Sequence, residues 1–131
     1  MDNDVANAYT GIITGNLALT KQDVGTLTLS GAGANTYSGL TTVSNGTLAL
    51  SGSGTIPSTN INVIGAGTLD VSGVSFTLGA FQTLSGNGTI AGNATSSSGT
   101  QILPGGSATV GKLTFNNTLS LVGGETVRFD F

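Results

Sequence analysis

An all-β solenoid, a parallel β-helix of five to six coils, is the fold class that three features of the 131-residue sequence predict. A unit Gly-Thr-Leu-x-Leu returns at a fixed 21-residue interval. Apolar residues alternate with period two inside each copy, and glycine (22 residues), threonine, serine and asparagine disfavour helix almost everywhere. A fixed period in this range is the mark of stacked coils, each of which covers the apolar edge of the next.

The copies are Gly25-Thr26-Leu27-Thr28-Leu29, Gly46-Thr47-Leu48-Ala49-Leu50, Gly67-Thr68-Leu69-Asp70-Val71 and a degenerate Gly88-Thr89-Ile90. Set under one another they give columns. Gly25, Gly46, Gly67 and Gly88 form the first, which Gly111 continues if two extra residues fall near Thr95–Gly99. Leu27, Leu48, Leu69, Ile90 and Leu113 form the second, and Leu29, Leu50, Val71 and Phe115 the third. Half a coil away lie Leu40/Val43, Ile61/Val63, Phe81/Leu84, Ile102 and Leu119/Leu121, the expected opposite inner wall.

Turns precede each copy. Ser44-Asn45-Gly46, Gly65-Ala66-Gly67 and Gly86-Asn87-Gly88 offer Gly or Asn where φ is to be positive. Pro57 and Pro104 are expected outside the strongest strands, where a missing donor is tolerated. The whole of 1–131 reads as one β-helix segment with an irregular start over 1–14. Isolated coils bury too little to stand, so stacking is obligatory.

Residues Leu19-Thr20-Lys21-Gln22-Asp23-Val24-Gly25-Thr26-Leu27-Thr28-Leu29-Ser30-Gly31, then Ala34-Asn35-Thr36-Tyr37-Ser38-Gly39-Leu40-Thr41-Thr42-Val43 and Gly46-Thr47-Leu48, resemble the passenger-associated transport repeat of bacterial autotransporters. Gln22-Asp23-Val24 departs from that repeat's usual Thr-Gly-Ala type of turn. Looser likeness continues in Ser85–Ile90 and Ile102–Thr114. The resemblance implies a right-handed β-helical stalk, exported by type V secretion, found outside the cell or at the outer-membrane surface, and concerned with export and folding rather than catalysis. It also implies a longer parent with a signal peptide and a membrane barrel. Met1-Asp2-Asn3-Asp4 has no basic and apolar leader pattern, so the sequence is expected to be a fragment.

An enzyme is not expected. The sequence has no His and no Cys, which removes imidazole bases, thiol nucleophiles and most transition-metal ligands. Its ionisable side chains, Asp2, Asp4, Asp23, Asp70, Asp130, Glu125, Lys21, Lys112 and Arg128, are scattered over different coils. No cofactor or metal is expected. Asp70 alternates outward between Leu69 and Val71, where a charge discourages lateral aggregation. Tyr9 and Tyr37 could serve as sugar platforms, but Tyr37 sits inside the repeat motif, where a packing role is the better expectation. Asn45, Asn87, Asn93 and Asn116 head Asn-x-Ser/Thr triplets that arise readily in so Thr-rich a sequence.

A net charge of −3 with three basic residues argues against nucleic acid. Strands of about five residues and 5% aromatics argue against a membrane barrel, whose strands run about 9–11 residues between aromatic girdles. The expected role is therefore structural, a stalk whose partners are neighbouring coils or copies of itself. The alternatives are an adhesin with a carbohydrate or host-cell ligand and a subunit that associates end to end.

Overall fold

The computed structural model describes residues 6–106 and 109–129. Every described element is a strand, and the strands close into three parallel faces. The first face is a six-stranded sheet of β1 (Asn7–Tyr9), β3 (Thr26–Leu29), β5 (Thr47–Ser51), β7 (Thr68–Gly73), β10 (Thr89–Ala91) and β13 (Thr114–Phe115). A second six-stranded sheet holds β2 (Leu19–Lys21), β4 (Thr41–Val43), β6 (Asn60–Val63), β9 (Thr83–Gly86), β12 (Gln101–Pro104) and β15 (Thr126–Val127). Between them β8 (Phe76–Leu78), β11 (Ala94–Ser96) and β14 (Leu119–Ser120) make the third face. The chain alternates between the two long faces as far as β7 and from β8 on visits all three in turn, and six strands on each long face mean six coils. The β-solenoid expected from the period is the fold observed.

Register follows the repeat through the centre of the rod. Thr26, Thr47, Thr68 and Thr89 pair in succession, and with them Leu27, Leu48, Leu69 and Ile90. The glycine column lies one residue earlier. Carbonyls of Gly25, Gly46, Gly67 and Gly88 accept from the backbone nitrogens of Thr47, Thr68, Thr89 and Thr114, so each Gly-Thr step ties one coil to the next. At Gly67 there is no room for a side chain, because a Cβ would run into the carbonyl oxygen of Val43.

Two columns end differently from the sequence reading. Thr89 pairs with Thr114 and Ile90 with Phe115, so Phe115 rather than Leu113 continues the Leu27–Leu48–Leu69–Ile90 column. Gly111 correspondingly leaves the glycine column, and its nearest neighbour is the Gly105 backbone. The extra residues lie between Pro104 and Leu113, not near Thr95–Gly99, where the step from β11 to β12 matches the step from β8 to β9. Leu113 is still buried. Pro104 closes β12 rather than lying outside a strand, and β1 falls within the stretch 1–14.

Leu48, Leu69, Ile90, Val43, Ile61, Val63, Leu84 and Ile102 have essentially no exposure and fill the interior in layers. Leu27, beside the short β1, is half-buried. Leu40, Phe81 and Leu121, expected on the inner wall, face solvent instead. Phe81 adopts a positive φ of 64° and swings outward, while the Gln82 side chain is drawn into the corner by two carbonyls of the preceding coil. Leu121 follows β14, where pairing with β11 has ended. Phe129 is exposed beyond β15.

Candidate functional site

The alternation that places Leu19 inward also places Lys21 inward, in the column of Val43 and Val63. Lys21 is only 2% exposed. Its ammonium carries three donors, and three backbone carbonyls take them: Gln22 at 2.7 Å, Asp23 at 2.7 Å and Asn45 of the next coil at 3.3 Å. A buried charge without such partners would be prohibitive. The cage explains the local turn, since Asp23, at φ 68°, aims its carbonyl back at Nζ.

Asn35 links three successive coils. Its Oδ1 accepts from the Ile13 backbone at 2.9 Å, and its Nδ2 donates to the Thr55 carbonyl at 2.9 Å. The Asn35 backbone nitrogen also donates to Thr55 Oγ1 at 2.9 Å. An amide suits this place because it offers an acceptor to one side and donors to the other.

Tyr37 is fully buried, and its hydroxyl shares a 2.8 Å hydrogen bond with Thr41 Oγ1, which is bonded in turn to Ser58 Oγ. Thr41 is the polar member of a column otherwise made by Leu19, Ile61, Leu84 and Ile102, and this network satisfies it. Burial raises the Tyr37 pKa above its usual value of 10.0, against the opposing influence of Thr41 and Ser58. The sign of the linkage follows. A folded-state pKa above the unfolded one contributes stability that is intact below the unfolded pKa and is lost as pH rises through the folded pKa. Thermal melts should therefore show an alkaline loss beginning near pH 10 that Tyr37→Phe removes. An unchanged alkaline limb in that variant would contradict the assignment.

Polar residues also stand at one corner of the later coils, each just before a strand of the second sheet. Gln82 donates to the carbonyls of Ile56 (3.0 Å) and Ser58 (2.7 Å) and accepts from the Gly79 nitrogen (2.7 Å). Thr100 donates to Gly79 at 3.1 Å and accepts from Ser97 at 3.2 Å. Glu125 takes the same place before β15, where its Oε1 accepts from Ser96 Oγ at 3.1 Å while the buried Oε2 has no partner. A carboxylate has no donor for the carbonyls that Gln82 and Thr100 serve. Glu125→Gln should consequently stabilise the protein by about 1 kcal/mol. A lower urea midpoint in that variant would show that the corner is not used in this way.

The residues named for other roles are dispersed. Asp70 points outward, and its Oδ1 accepts from the Ser72 nitrogen at 2.9 Å, which makes it a turn residue. Tyr9 is half exposed on the first coil, far from the buried Tyr37 network in sequence and environment. No group of three His, Cys, Asp or Glu side chains able to hold a metal occurs among the described residues. An open groove of about 480 Å³ separates Gly52–Ile56 from Gly73–Thr77, where the third face has a gap between coils and β8 becomes an edge strand.

The leucine columns were legible from the period alone, whereas Lys21, Asn35, Thr41 and Ser58 were not assigned inside. Strict two-residue alternation from Leu19 would have found Lys21. Asn35 and Ser58 lie outside the strands, where alternation has no reach.

No characterised protein and no solved structure gives a significant match to the chain. The family description passenger-associated-transport-repeat matches residues 19–50. That span contains Lys21, Asn35 and Tyr37, three of the side chains that bind neighbouring coils or fill the corner between them. The chain thus carries, at residues 19–50, a passenger-associated transport repeat.

Proposed function

We propose that this chain is a stalk segment of a secreted or surface-displayed autotransporter passenger, a rigid spacer whose coils form one upon another during export. The single observation that carries the reading is that buried polar side chains tie each coil to its neighbours. Lys21 reaches the Asn45 carbonyl, Asn35 joins Ile13 to Thr55, and Gln82 reaches back to Ile56 and Ser58, so each coil laid down completes hydrogen bonds of the coil beside it. Folding that advances coil by coil suits a chain threaded through a narrow exit, because every added layer is stabilised as it appears. The repeat and the solenoid fit a passenger repeat region.

Catalysis plays no part in this proposal. Its partners are the neighbouring coils, or copies of the same chain, and it works outside the cell or on the outer-membrane surface.

Display tests it. With the chain placed between an outer-membrane anchor and a surface reporter, Lys21→Ala and Asn35→Ala should reduce the exported reporter. Replacement of residues 19–50 by a flexible Gly/Ser linker of equal length should reduce it further. Equal export through the linker would overturn the proposal. An adhesin reading draws on the groove beside Phe76, lined by Ser53, Thr55, Ser75 and Thr77. Saturable binding of a glycan, lost on Thr77→Trp, would favour it.

A further inference from the structure

The described residues contain two Asn-Gly pairs, Asn45-Gly46 and Asn87-Gly88. In such a pair the backbone nitrogen after the asparagine can attack the side-chain carbonyl, since glycine has no Cβ to obstruct the approach. We propose that Asn45 is a site of spontaneous covalent modification, converted through a cyclic imide to aspartate and isoaspartate, and that the fold protects Asn87.

The two pairs differ in what holds the nucleophile. The Gly46 nitrogen donates to Asn45 Oδ1 at 2.9 Å, within its own pair. A carbonyl bond is about 1.23 Å long, so this nitrogen lies within about 4 Å of Asn45 Cγ, close to attacking distance. The Gly88 nitrogen instead donates to the Val63 carbonyl at 2.8 Å, one of the bonds that join coils. The electrophile is held as well. Asn87 Oδ1 accepts from the Gly65 nitrogen of the preceding coil at 2.8 Å, which ties the side chain to that coil. Ring closure at Asn87 would break two inter-coil bonds, and at Asn45 it would break neither kind.

Lys21 adds an electrostatic reason. The reaction requires the Gly46 N–H to give up its proton, and the negative charge that develops is shared with the Asn45 carbonyl oxygen of the same peptide group. Lys21 Nζ lies 3.3 Å from that oxygen. A buried ammonium fixed in place stabilises such charge without reorganisation. The Gly46 nitrogen then bonds to Cγ, and the side-chain nitrogen leaves as ammonia, carrying off the proton. Water next adds to either imide carbonyl. Cleavage of the new bond yields aspartate, and cleavage of the original peptide bond yields isoaspartate. Each product adds one carboxylate beside a caged lysine that has none among its hydrogen-bond partners.

Exposure ranks the two sites the other way, because Asn87 is exposed and Asn45 only half so. The folded chain, held in mildly alkaline buffer at physiological temperature, should be sampled over weeks by peptide mass spectrometry with isoaspartate labelling. Asn45 is expected to convert at least about tenfold faster than Asn87, a ratio that a barrier difference of about 1.4 kcal/mol produces. In denaturant the two rates should converge, because the sequences around the pairs are alike. Lys21→Met should slow Asn45 in the folded chain. Equal native rates, or faster conversion at Asn87, would overturn the proposal without recourse to any variant. Retained ammonia loss with a Lys21–Asn45 cross-link and no isoaspartate would overturn it also.

Discussion

Leu48→Asp is expected to abolish the cooperative melt of the rod. Leu48 has no exposure and lies between Leu27 and Leu69 in adjoining coils, with no donor or cation directed at it. Truncation of such a leucine alone costs about 2–5 kcal/mol. A carboxylate adds the penalty of an unpaired buried charge, so the total should approach the whole stability of a small domain. Circular dichroism in a urea series is the measurement, with Thr28→Lys as companion. Thr28 alternates with the inward Leu27 and Leu29 and stands over Ala8 and Ala49, so the lysine should be nearly neutral. If Thr28→Lys proved the more damaging of the two, the inner and outer faces would have been exchanged.

Gly46→Val is expected to be the next most severe substitution, by two separable routes. The backbone at Gly46 has φ 62°, a region that β-branched residues avoid at a cost of about 1–2 kcal/mol. A Cβ there would also strike the carbonyl oxygens of Asp23 and Gly25 and come within 2.8 Å of Lys21 Nζ. The lysine cage and the Gly-Thr tie would both have to open. We expect a loss of about 3 kcal/mol or more. Gly15→Val isolates the torsional share, because Gly15 has φ 93° and nothing within 4 Å of its would-be Cβ. Equal losses in the two variants, read as urea midpoints, would mean that the close approach at Gly46 is of no consequence.

How far the fold could be read in advance depended on where identical residues recur. Through Thr26, Thr47, Thr68 and Thr89 the interval is constant, and the stacked register agrees with it residue for residue. The register shifted by two at Phe115 because the added residues fall after β12, where Gly105 and Gly106 take positive φ and the alternation of the strand has ended. Phe81 and Leu121 were placed inside on hydrophobicity, but corners obey hydrogen-bond demands first. Gln82 secures two carbonyls there, and Phe81 gives way. The same priority hid the site, since a lysine, an asparagine and a threonine inside an apolar rod are visible only once each carbonyl has been assigned a donor.

Coil lengths vary widely, from a step of 18 residues between Leu84 and Ile102 to one of 25 between Ile102 and Val127. Both coils nevertheless occupy a single layer, and a layer adds about 4.8 Å to the rod whatever its contour. Reach is therefore quantised: the molecule measures distance by the number of turns, and surplus residues go sideways. Insertions at the corners can decorate such a shaft with loops of any size without altering how far its tip stands from its base.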